Sequence, residues 1–118
     1  GGKQPNYSAA DVDATCAVLK AAGLREQVMI DVSHANSSKQ HQRQITVAAE
    51  VAQRIAAGDA RITGLMIESH LQEGRQDIVP GQPLAQGVSV TDACISMAQT
   101  VPVLEGLAAA VRARRQKA

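Results

Sequence analysis

The sequence predicts an α/β fold built on a parallel sheet. Two short apolar runs, 27–32 and 62–67, each end in a cluster of polar residues. Stretches of helical period lie before, between and after them. Strands joined by a helix are successive βα units with a right-handed crossover. Two parallel strands cannot complete a sheet, because each needs partners for its backbone groups and cover on both faces. Three helices cannot close that layer. The most economical reading is the carboxyl-terminal segment of a (β/α)8 TIM barrel, its last two strands with their helices, in one domain over residues 1–118.

Residues 1–7 hold Gly, Pro and Asn and are expected to form a loop. Ser8 with Asp11 three residues on is a capping-box start for a helix over 9–22, with Val12, Cys16 and Leu19 on one stripe. Gly23 supplies its stop. Run 27–32 lacks strict alternation, as expected for a parallel strand covered on both faces. Ser37 or Ser38 is expected to cap a helix over 39–57, with Ala48, Val51, Ala52 and Ile55 buried and Gly58 ending it. The second strand, 62–67, carries Gly64, which suggests close approach of a neighbouring backbone. Residues 69–91 then form a loop containing Gly74, Pro80, Gly81, Pro83 and Gly87. A loop of that length is usually functional or disordered. Its apolar Leu71, Ile78, Val79 and Leu84 favour an ordered, functional one. Thr91 or Asp92 is expected to open a short helical turn to 97. Pro102 marks the start of a last helix to about 115, with Leu104, Leu107, Ala108 and Val111 as its stripe.

Composition narrows the function classes. Hydrophobic residues make up 45% and charged residues 19%, so the chain is globular rather than disordered. Aromatic content is 1%, so Ala, Val, Ile, Leu and Met must supply the core, and part of that core is expected to lie elsewhere. A net charge of +1 selects no partner. The basic run 112–117 is the last turn of a helix, where cations complement the dipole, and no nucleic acid is expected. No apolar run reaches membrane-spanning length. Cys16 and Cys94 match no zinc spacing and are expected to be reduced thiols in the cytoplasm. A start of Gly1-Gly2-Lys3 is expected to be cut from something longer.

Function in parallel α/β folds collects at the carboxyl ends of the strands. His34 follows the first strand, among Ser33, Asn36, Ser37 and Ser38. The plain alternative is a loop histidine bonded to nearby backbone. Ser33 as nucleophile to a His34 base is not expected, because adjacent residues on a strand point to opposite faces. Glu68 ends the second strand, where a carboxylate is costly unless exposed, paired or bound to a cation. His70 either serves the same site or holds the loop. Asp92, read alone, is a helix cap. Together His34, Glu68 and Asp92 offer one nitrogen and two carboxylate oxygens, a ligand set for a divalent metal of the Mn, Fe, Co or Zn kind. Three protein ligands leave positions open, so the ion can polarise a carbonyl as a Lewis acid. There is no Gly-rich phosphate loop of P-loop or Rossmann type.

Four blocks carry a resemblance. Gly-Gly-Lys-Gln-Pro-Asn-Tyr-Ser, Asp-Val-Ser-His-Ala-Asn-Ser-Ser-Lys-Gln, Ile-Glu-Ser-His-Leu-Gln-Glu-Gly and Val-Thr-Asp-Ala-Cys-Ile resemble the carboxyl-terminal third of class I 3-deoxy-D-arabino-heptulosonate 7-phosphate (DAHP) synthases. The resemblance runs from Gly1 nearly to the end. It implies a (β/α)8 barrel whose seventh and eighth strands lie here. It also implies condensation of phosphoenolpyruvate with erythrose 4-phosphate, releasing phosphate, as the first step toward the aromatic amino acids. The implied metal is held by a Cys, a His, a Glu and an Asp, the last three being His34, Glu68 and Asp92. The family's Cys lies on an early strand outside this stretch, and Cys94 is a neighbour of the site rather than that ligand. Most phosphate-holding Arg and Lys residues of the family, and most of its inhibitor-binding region, also lie outside it. Ser96-Met97-Ala98 replaces a segment that often carries Trp in relatives. The implied catalytic residues are His34 and Asp92, with Asp92 or a metal-bound water moving protons. The chain alone is expected to be inactive and to need the missing barrel portion, within a homo-oligomer. The competing expectation is a non-catalytic half-barrel that assembles through exposed sheet edges.

Overall fold

The computed structural model describes residues 2–118. Gly1, part of the expected first loop and of the Gly-Gly-Lys block, lies outside the described residues. The elements run α1 (Ala9–Ala21), β1 (Val28–Asp31), a 3-10 turn (His34–Ser37), α2 (Arg43–Ala56), β2 (Ile62–Met66) and α3 (Met97–Lys117). The expected α-β-α-β-α order holds.

Local chemistry sets the helix ends. Ser8 Oγ accepts the Asp11 N–H, and the Asp11 carboxylate accepts the Ser8 N–H, which closes the expected capping box. Gly23, at φ 73°, ends α1. The Leu24 N–H bonds the Leu19 carbonyl and the Gly23 N–H bonds the Lys20 carbonyl, a Schellman stop.

Strands β1 and β2 pair in parallel as a two-stranded sheet, with Ile30 opposite Leu65 and Asp31 opposite Met66. One face is covered by the helices. Ile30, Val32 and Ile62 pack there with Val12 and Cys16 of α1, with Val47, Ala48, Val51 and Ile55 of α2, and with Ala110 of α3. The other face is bare: Met29 is 66% and Met66 36% exposed. The expectation that both faces are covered therefore fails for these residues. A Cβ at Gly64 would lie 3.5 Å from the Met29 side chain, so the neighbour there is a side chain and not a backbone as expected.

Three more expectations are corrected. Helix α2 begins at Arg43, and neither Ser37 nor Ser38 caps it. Ser38 and Lys39 adopt left-handed backbone, φ 53° and 58°, which no helix can pass through. Asp92 opens no helical turn: Cys94 pairs with Gly74, and Ile95 with Ser69, in isolated bridges. The last helix begins at Met97, capped by Ser96 with Gln99, so Pro102 sits inside it. Its inward residues are Thr100, Val103, Leu107, Ala110 and Val111, while Leu104 faces solvent. Of the expected stripe, Leu107 and Val111 do face inward.

Residues 69–91 are ordered by their own bonds. The Gln72 N–H bonds the Gly87 carbonyl. The Gln76 amide donates to the Ala85 and Val88 carbonyls and accepts the Ala85 N–H. Cys16 and Cys94 are free and buried. Among the described residues no helix is long and apolar enough to cross a membrane.

Candidate metal centre

Strand β1 ends at Asp31, and the chain then turns back on itself. The Asp31 Oδ1 accepts both the backbone N–H of Ser33, at 2.8 Å, and its hydroxyl, at 2.5 Å. Asn36 Nδ2 donates to the Asp31 carbonyl at 2.7 Å. This folded corner drives His34 into left-handed backbone, φ 53°. It also brings Ser33 Oγ within 2.9 Å of His34 Nδ1. The expected separation of these neighbours fails because neither residue lies on the strand. Ser33 is 2% exposed and its hydroxyl serves Asp31, so it is a structural bond rather than a nucleophile.

His34 Nδ1–H donates to Asp31 Oδ2 at 2.8 Å. That bond fixes the tautomer and leaves the Nε2 lone pair free. Nε2 points at Glu68 Oε1, 2.9 Å away, and at Asp92 Oδ2, 3.2 Å away. The three ligand atoms all lie within 4.8 Å of one another. The sequence expectation joined residues from two strand ends and a loop, and the fold brings them together.

Each of the three side chains is held differently. Glu68 lies just past β2, where its carbonyl accepts the Ile95 N–H. Asp92 directly follows the 69–91 loop, which Arg75 secures by donating to the Thr91 carbonyl at 2.9 Å and pairing with Asp77. His41 and Gln42, ahead of α2, hold Glu73 of the same loop at 2.8 and 2.7 Å. His70 serves the loop and not the centre: its Nδ1 accepts the Leu71 N–H.

The charges match this geometry. Burial foremost pushes the Glu68 carboxyl above its ordinary range, and Asp92 and Asp31 add to this while His34 opposes it. His34 is raised, first by its bond to Asp31; burial opposes this, and the Glu68, Asp31 and Asp92 carboxylates add to the rise. Burial would lift Asp31, but the bonds from Ser33 and His34 outweigh it and hold the carboxyl low. Burial pushes the Cys94 thiol up, and its Sγ bonds the Asp92 carbonyl at 3.5 Å, as befits a neighbour rather than a ligand. A histidine lone pair and two carboxylates converging on one point repel each other unless a proton or cation lies between them. The donor set fits a borderline divalent ion.

The profile of the DAHP synthetase I family matches residues 1–105. The chain belongs to the DAHP synthetase I family. Relatives in that family include the phenylalanine-sensitive phospho-2-dehydro-3-deoxyheptonate aldolase of Escherichia coli K12, 56% identical over 98% of this chain and 33% of its own length. The tyrosine-inhibited aldolase of Schizosaccharomyces pombe is 53% identical over 98% of this chain and 32% of its own. The solved phospho-2-dehydro-3-deoxyheptonate aldolase of Francisella tularensis superposes with a TM-score of 0.90 at 46% identity, over 97% of this chain and 33% of that one. The chain therefore spans about a third of the length of the DAHP synthetase I relatives it matches.

Sequence reasoning missed Asp31, Arg75 and Gln44. Asp31 had a local signal, a carboxylate three residues before the histidine. Gln44, whose side-chain amide bonds the Glu68 peptide, had none, because its partner lies 24 residues away on another element, and Arg75 had none toward Thr91, 16 residues along its own loop.

Proposed function

We propose that this chain is the carboxyl-terminal third of a DAHP synthase: the last two strands, with their helices, of a (β/α)8 barrel. The enzyme condenses phosphoenolpyruvate with erythrose 4-phosphate to give DAHP and phosphate, opening aromatic amino acid synthesis. Family membership supports the reaction. The convergence of His34, Glu68 and Asp92 within 4.8 Å is the observation that carries the site.

In this reading those three residues hold a divalent ion of the Mn, Fe, Co or Zn type. When bound, the ion supplies Lewis acidity toward a carbonyl oxygen. Asp31 orients His34. Lys3 and Lys39 border the cleft beside His34 and bring positive charge to a phosphorylated substrate. Asp92, the most exposed ligand with 67% of its side chain open, has the access needed to move a proton. Near-normal turnover in Asp92→Asn would refute that proton role. The free cysteines fit a reducing, cytoplasmic compartment, and a homo-oligomer is part of the proposal.

The test is a chimera in which these 118 residues replace the corresponding third of the Escherichia coli relative. Phosphate release from the two substrates is the expected result, falling at least ~100-fold in His34→Ala or Glu68→Gln. A folded but inert chimera would refute the assignment. The 118-residue chain alone is expected to be inactive, and robust product formation by it would refute that.

The bare sheet face at Met29 and Met66 favours a second reading, a non-catalytic module that assembles through this surface. Activity in the chimera would exclude it.

A further inference from the structure

Position 44 falls on the inward stripe of α2, with Val47, Ala48, Val51 and Ile55. An apolar side chain would serve packing there. The residue is Gln44, 1% exposed. A buried amide costs free energy unless both of its ends are bonded. Both ends go to a single residue 24 positions away. Gln44 Oε1 accepts the Glu68 N–H at 2.8 Å, and Gln44 Nε2 donates to the Glu68 carbonyl at 3.1 Å. Glu68 lies beyond the β1–β2 ladder, which ends at Met66. Its peptide groups therefore have no partner in that ladder, and its carbonyl also accepts the Ile95 N–H.

We infer that Gln44 is a positioning residue for Glu68: its amide clamps the peptide of this strand-end ligand so that the carboxylate meets His34. The inference rests on the metal reading of the site. Backbone grip is an effective place for such control. A ligand's Cα sets where its carboxylate can reach, and partners outside the ligand set commonly change metal affinity 10–100-fold.

The test is calorimetric titration of Mn²⁺ into the wild-type chain, Gln44→Met and Val51→Ala, each with a thermal melt. Gln44→Met keeps the length and volume but loses both bonds. Val51→Ala destabilises the same core without touching Glu68. The expected result is affinity at least ~10-fold weaker in Gln44→Met and unchanged in Val51→Ala at a comparable loss of melting temperature. Wild-type affinity in Gln44→Met, or an equal loss in Val51→Ala, overturns the inference. Should Gln44→Met not fold, Gln44→Asn keeps the amide, falls short by one methylene and is expected to show the same loss.

A metal-free arm separates this inference from the reading beneath it. In the apo chain, Glu68→Gln is expected to shift the His34 ring ¹⁵N resonances, and Gln44→Met to abolish that response. An undiminished response overturns the inference. Equal Mn²⁺ affinity in wild type and His34→Ala counts against the metal centre itself, and the resonance arm then decides the role of Gln44 alone.

Discussion

His34 sits in left-handed backbone at φ 53°, a conformation that costs a non-glycine residue about 1–2 kcal/mol. The bonds that Asp31 makes to Ser33 and His34 hold it there. Asp31→Asn would put an amide against an N–H and free the ring to turn. The expected outcome is Mn²⁺ affinity about 10–100-fold weaker, read by calorimetry, with the helical circular dichroism retained. Acidity gives a second prediction. His34 is raised above the ordinary imidazole value of 6.5. Stabilisation from its charged form is therefore fully present below 6.5 and is lost as pH rises through the raised value. The melting temperature of the metal-free chain should fall across that window, and His34→Ala should flatten the fall. Metal affinity should move the opposite way, rising as the competing proton leaves.

At the scale of elements, the sharpest departures from expectation come from α3 and the 69–91 loop. Pro102 lacks an N–H for the Ala98 carbonyl inside a 21-residue helix. Pro102→Ala should restore that bond and stabilise the chain by about 1–3 kcal/mol, seen as a higher urea midpoint. The capping box at Ser96 and Gln99 is strong enough to start the helix ahead of the proline, which is why the proline misled. In the loop, Gly87 has φ 78°, and a Cβ there would lie 2.9 Å from Leu71 Cβ. Gly87→Ala should loosen the loop that leads to Asp92. Faster amide exchange at Gln72 and Gln76, together with weaker Mn²⁺ binding, would show this. Helix α1 was legible almost to the residue because Ser8, Asp11 and Gly23 act on their own neighbours. The start of α2 was not, because Ser37 spends its hydroxyl on the His34 carbonyl and Ser38 lies in left-handed backbone, so neither caps it.

At the scale of the molecule, the chain is a layer rather than a ball. Its radius of gyration is 16.4 Å, and its extents are 54 × 30 × 19 Å. A rounded domain of this length would have a radius of gyration of about 13 Å. The sheet has helices on one face and exposed Met29 and Met66 on the other, and among the described residues each strand has a neighbour on only one side. Unpaired edges and bare apolar faces associate. Sedimentation of the isolated chain is expected to depend on concentration, and Met29→Lys with Met66→Lys should reduce that dependence without loss of helix. A concentration-independent monomer in the wild type would contradict this.

The order of elements, the parallel pairing, the cap of α1 and the grouping of His34, Glu68 and Asp92 as candidate ligands were all legible in the sequence alone. Periodicity, caps and strand-end position act over a few residues and can be read one segment at a time. The left-handed corner at His34, the inward face of α3, the bare side of the sheet and the grip of Gln44 on Glu68 were decided only in the tertiary structure. Each depends on a hydrogen bond or packing contact made, or missing, between elements, and a buried amide on an apolar stripe looks out of place until its partner 24 residues away is brought to it.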